Sequence, residues 1–224
     1  MTTPQQPHGA LRSFGRIKSR PIKPRQAALL ETLLPKIAFD AAEPLAGETW
    51  LEIGFGGGEH LAEQAARHPH VRLIGAEPFL NGVASALRHI DERALRNVRL
   101  HQGDAREVLG HLPDASLTRI FILFPDPWPK ARHHKRRLVQ PETVAEFARA
   151  LKPGGRLRFA TDVADYANRA LATLLSSPHF RWSAERADDW RVPPPDHVTT
   201  RYEAKRLGDC APVFLDFERV RSRG

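Results

Sequence analysis

The chain has 224 residues, enough for one domain with a sizeable core and too few for two large ones. Its 34 Lys and Arg outweigh 26 Asp and Glu to leave a formal net charge of +8, which argues for a polyanionic partner. The longest strongly apolar run is only Ile120 to Phe124, the first residues lack the apolar core of a signal peptide, and the single Cys210 has no internal disulfide partner; these features exclude a spanning helix and a disulfide scaffold and predict a reducing, cytoplasmic setting without a membrane role.

Residues 1 to 24 mix proline and glutamine with Arg12, Arg16, Lys18, Arg20 and Lys23, and read as a mobile basic arm able to order on a polyanion, or as a solvated tail. The remainder, 25–224, reads as one domain. Leu29, Leu30, Leu33, Leu34 and Ile37 predict an amphipathic helix from Gln26 to Phe39, with Pro35 bending or ending it early. A buried strand from Thr49 then runs into LEIGFGGGEHL, Leu51 to Leu61, where Gly54, Gly56, Gly57 and Gly58 crowd into a turn before a helix, His60 to His68. Such a turn aims backbone N–H groups at a ligand above the carboxyl end of a parallel sheet.

The spacing narrows the ligand. A dinucleotide fingerprint starting at Gly54 needs a third glycine where Glu59 stands. Glu52 ahead of Gly54, Gly56 and Gly58 would repel a pyrophosphate, whereas a ligand with an ammonium and a sulfonium suits it, which points to S-adenosylmethionine over NAD. A tight turn without a ligand is the bland alternative. The second strand, Val71 to Ala76, ends at Glu77, near the spacing at which a carboxylate meets ribose hydroxyls. A helix from Leu80 to Leu95 leads to the strand Val98 to His101, and Gly103-Asp104 follows, placed either to reach an adenine or simply to cap a helix, Ala105 to Leu112.

The fourth strand, Arg119 to Phe124, is the most continuously apolar of the chain and suits a central parallel strand. It discharges into PDPWPK, Pro125 to Lys130, whose three prolines hold Asp126 and Trp128 at the strand's end. Lys130, Arg132, His133, His134, Lys135, Arg136 and Arg137 follow as a candidate phosphate clamp or a solvated face; the histidine pair lacks the spacing of a zinc helix, so no metal is expected. A helix from Pro141 to Leu151 stops at Lys152 to Gly155. The strand Arg156 to Ala160 delivers Thr161 and Asp162, and Asp162 is placed to cap a helix from Val163 to Leu175. Two late strands, Phe180 to Arg186 and Val213 to Val220, flank the proline-rich Val192 to Asp196 and the segment Thr199 to Lys205, and predict an antiparallel addition to the sheet.

FPDPWPKARHHKRR (Phe124 to Arg137), ATD (Ala160 to Asp162) and TRYEAK (Thr200 to Lys205) together resemble the bacterial tRNA (guanine-N7)-methyltransferase family, from about Phe14 to the C-terminus. The proline-tryptophan motif with its basic run is far more diagnostic than the glycine turn. The resemblance implies an α/β, Rossmann-like class I methyltransferase fold, a mostly parallel seven-stranded sheet with helices on both faces and an antiparallel C-terminal strand. It implies S-adenosylmethionine as cofactor, bound by Glu52, Gly54, Gly56, Gly58, Glu77, Asp104 and Asp126, with Asp126 also the catalytic candidate. Lys130, Asp162, Thr200, Arg201, Tyr202 and Glu203 would contact the substrate, and Arg132, His133, His134, Lys135, Arg136 and Arg137 the RNA. The product would be 7-methylguanosine at guanine 46 of tRNA, made by a monomer or homodimer. Tyr202 stands where that family commonly has phenylalanine, and Arg206 where a glycine often follows the lysine.

Two rivals remain at this level. An RNA-binding protein without turnover has no need of acids at 52, 77, 104, 126 and 162 together, and a small-molecule methyltransferase gives the basic arm and basic run no purpose.

Overall fold

A computed structural model describes residues 21–221; most of the basic arm, 1–20, lies outside them. Five strands run parallel: β1 (Thr49–Ile53), β2 (Arg72–Ala76), β3 (Val98–His101), β4 (Leu117–Leu123) and β5 (Leu151–Thr161). Two late strands, β6 (Phe180–Trp182) and β7 (Val213–Arg219), complete a seven-stranded sheet of order β3-β2-β1-β4-β5-β7-β6. β7 is antiparallel to both its neighbours, β5 and β6. The order reverses between β1 and β4, and the crevice above such a reversal is where open α/β sheets bind ligands.

Every residue of β1 is buried, as are the last four of β4, because helices cover both faces. On one face α3 (Glu59–Arg67) and α4 (Leu80–Glu92) bring Leu61, Val83 and Leu87 against Trp50, Phe121 and Phe214. On the other, α5 (Ala105–His111), α6 (Pro141–Ala150) and α7 (Ala164–Leu175) bring Val108, Phe147 and Leu174 against Ile53, Ile122 and Phe159.

The largest departures from the expected boundaries come in three places. The helix expected over Gln26 to Phe39 is two pieces, α1 (Pro24–Thr32) and α2 (Leu34–Ile37), because Pro35 lacks the N–H that would continue the ladder and opens the second piece instead. Lys152 to Gly155, read as a helix stop, lies inside the long β5, whose pairing with β4 shifts register between Leu117 and Arg119. The strand begun at Phe180 ends at Trp182, and the chain turns through the short α8 (Asp188–Arg191) before a strap, residues 192–206, folds over the sheet.

Candidate functional site

The glycine turn is the floor of the crevice. Gly54, Gly56 and Gly58 all take positive φ. Above Gly56 a Cβ would meet nothing within 4 Å, so the space over the turn is open, whereas at Gly58 a Cβ would run into Ala86 of α4 at 2.5 Å. The first glycine therefore leaves room for a ligand and the second lets two helices approach.

Glu77, at the end of β2, accepts N–H groups from Gly56 and Phe79, both at 2.9 Å, and is 8% exposed. Burial pushes its carboxyl above the usual range against those two bonds, and the negative charges of Asp126 and Glu52 add to the push. Each oxygen keeps a second lone pair for a hydroxyl donor. Glu52, the acid expected beside a ligand cation, is 3% exposed, and its Oε2 lies 2.7 Å from Nδ1 of buried His60. Asp104 is the N-cap of α5, accepting from the Arg106 backbone N–H at 2.9 Å and from that residue's guanidinium at 2.9 and 2.5 Å. Its cap role is thus established.

β4 ends in a strained corner. Phe124 and Trp128 both lie at positive φ, 50° and 43°, and each precedes a proline. Asp126 sits between them, exposed at the rim of the crevice. Its charge helps raise the Glu77 carboxyl on the cofactor side, follows burial and Asp162 as a cause of the raised Tyr202 hydroxyl on the other, and is the last of the causes acting on Tyr166.

The strap closes that other side. His197 Nε2 lies 2.7 Å from Glu203 Oε2, and Glu203 and Thr200 exchange bonds between side chain and backbone at 3.2 and 3.4 Å. The ring of Tyr202 packs on Phe124, 6.0 Å between centroids, and Arg201 Nε reaches Glu59 Oε1 at 2.7 Å. Arg206 ends the strap's 3-10 turn, Glu203–Lys205, at φ 48°, the left-handed conformation that glycine takes freely. Asp162 is buried beside this loop, and its carbonyl accepts the Cys210 N–H at 3.1 Å. It does not cap α7: Thr161 Oγ1 takes the Val163 N–H and Asp209 Oδ1 takes that of Ala164. The shorter reach of Thr161 and the return of the chain at Asp209 fill that position.

With this geometry in place the chain can be set beside known proteins. The family described as "Putative methyltransferase" matches residues 46–214. A tRNA (guanine-N(7)-)-methyltransferase of Caulobacter sp. (strain K31) is 65% identical over 227 residues, covering 98% of this chain and all of that protein. The chain belongs to the tRNA (guanine-N7)-methyltransferase family. A relative of the same description from Hyphomonas neptunium is 53% identical over 92% of this chain and 99% of its own. The fold is also that of SMU.1697c, a methyltransferase of Streptococcus mutans solved in complex with SAH, at TM-score 0.51 and 12% identity over 88% of this chain and 98% of that one.

The cofactor of this family member is S-adenosylmethionine. The residues present fit it: the space above Gly56 is free, and Glu77 retains acceptor capacity toward that space. In this methyltransferase the basic run folds as a 3-10 turn, Ala131–Arg136, directly after the strained corner. Lys130, Arg132 and Lys135 are exposed, and the Arg136 guanidinium lies over the Trp128 ring at 5.0 Å. His133 meets the edge of that ring and His134 lies 3.6 Å from Asp165. Arg137 does not fit its expected place on an RNA surface. It is 2% exposed, donates Nε to the Pro127 carbonyl at 2.7 Å, pairs with Asp165 at 2.6 Å and lies over Tyr166. Sequence pattern groups it with its neighbours because a run of like charges carries no signal of which member turns inward. Asp196 escapes a reading of the sequence for a related reason: the groups that hold it, Gln64, Arg119 and Arg158, lie far away in the chain.

Proposed function

We propose that the protein methylates N7 of a guanine in tRNA, guanine 46 of the variable loop, giving 7-methylguanosine. The observation that carries this reading is the position of Asp126, at the end of the central strand and within the electrostatic reach of both Glu77 and Tyr202. The names of the similar methyltransferases supply the substrate, and the net charge of +8 suits an RNA partner.

S-adenosylmethionine supplies a methyl group on a sulfonium, which leaves as neutral S-adenosylhomocysteine when its C–S bond is exchanged for a C–N bond. Guanine N7 has a lone pair and no proton, so the protein has no proton to remove. Its task is to place the base and to offset the positive charge that grows on the purine. The Asp126 carboxylate does the second, or alternatively orients the base by accepting from its amide and amine edge. Glu77 accepts ribose hydroxyls, Tyr202 offers a stacking face, and Asp162 with Thr200 and Glu203 fixes the strap against the target base. Lys130, Arg132 and Lys135 take phosphates.

The test is Asp126→Ala with unmodified tRNA transcript. S-adenosylhomocysteine binding by calorimetry should stay within a few-fold of wild type while methyl transfer falls by about 10²–10³. Equal loss of both would make Asp126 a cofactor ligand only. Mapping the labile 7-methylguanine in the product reports the position.

A further inference from the structure

One line of side chains across the sheet has no part in the chemistry above. In register across four strands stand Glu52, Phe121, Arg158 and Asp216, all on the face that carries α3. Arg158, 6% exposed, is held by Asp216 at 2.7 and 2.9 Å and reaches Asp196 of the strap at 2.6 Å. Arg119, stacked over Trp50 and Phe121, reaches the same Asp196 carboxylate at 2.9 Å. The Asp196 carbonyl accepts from Gln64 Nε2 of α3 at 2.7 Å. That amide also lies 3.3 Å from His60 Nε2, so Nε2 is the acceptor, the ring proton sits on Nδ1, and Nδ1 donates to Glu52.

The strap is thus fastened to α3 at two points, Asp196 on Gln64 and Arg201 on Glu59, and α3 is the helix that opens from the glycine turn. We infer that Asp196 is a positioning residue that locks the RNA-facing strap to the cofactor-bearing helix, so that filling either site favours the other. This rests on the function proposed above. The seated strap is the state both ligands select: a cofactor that fixes the glycine turn fixes the seat of the strap, and RNA held by Thr200 to Glu203 presses the strap onto that seat. Such coupling is reciprocal, each ligand tightening the other by one common factor.

Calorimetric titration of the full chain with S-adenosylhomocysteine, alone and with saturating unmodified tRNA, reads that factor. We expect about fivefold or more for wild type, and the same factor when tRNA is titrated with and without S-adenosylhomocysteine. Asp196→Ala should bring it close to one while the affinity for S-adenosylhomocysteine alone stays within twofold. Gln64→Met, which leaves the Asp196 ion pairs in place, should lower it in the same direction and decides the matter if Asp196→Ala fails to fold. A wild-type factor of one overturns the inference, as does a folded variant that keeps the wild-type factor or weakens S-adenosylhomocysteine equally with and without tRNA. Wild-type chain that methylates tRNA without coupling removes only this inference; chain that neither binds nor methylates tRNA removes the functional reading beneath it.

Discussion

Asp126 is held by strain. Phe124 and Trp128 each carry a side chain into the left-handed region ahead of a proline, at a cost on the order of 1–3 kcal/mol apiece. Packing offsets it: Phe124 is buried among Tyr202 and the α3 face, and Trp128 is covered by Arg136. Glu77 yields a pH prediction. Its carboxyl titrates above the ordinary value because burial disfavours the charged form, so the ionised form that accepts ribose hydroxyls is lost as pH falls through that raised value. Affinity for S-adenosylhomocysteine should drop on acidification with a midpoint above 4.5, and a binding titration of Glu77→Gln over the same range should be weak and flat. Arg206 yields a stability prediction. At φ 48° it bears a penalty that glycine avoids, so Arg206→Gly should stabilise the chain by about 0.5–1 kcal/mol and raise Tm by about 2 °C in a thermal scan.

Elements are legible in the sequence where local pattern and burial agree. β3 spans Val98–His101 as expected, and α5 starts at the residue after its Asp104 cap. The basic turn shows the opposite case. Six cationic or imidazole side chains look equivalent in sequence, yet a 3-10 turn sends Arg137 inward, where Tyr166 receives it. Burial pushes the Tyr166 hydroxyl up to about 12, and that hydroxyl accepts the Leu138 N–H at 3.1 Å and the Val139 N–H at 3.4 Å. Arg137 and Tyr166 together anchor the turn to α7. Arg137→Met should therefore cost about 1–3 kcal/mol, since the Pro127 carbonyl loses its donor, and lower Tm by several degrees. An unchanged Tm would return Arg137 to the surface.

At the scale of the molecule, charge and topology divide the labour. The excess of +8 supplies attraction to RNA, which weakens with salt. Replacing the exposed Arg132 and Lys135 by glutamine should shallow the slope of log affinity against log salt by about 0.7–0.9 for each phosphate no longer neutralised, leaving S-adenosylhomocysteine binding as it was. An unchanged slope assigns the turn to a solvated face.

The order of strands and helices, the glycine turn, the acid-tipped strand ends and the proline-held Asp126 were all written in the sequence, because each depends on residues within a few positions of one another. Tertiary structure alone decided which charges are spent inside: Glu52 on His60, Arg137 on Asp165, Asp196 on two arginines. The Asp196 pairings reach back to Arg158, 38 positions earlier, and further to Arg119. No periodicity announces them, since a buried ion needs its partner close in space and is indifferent to its distance along the chain.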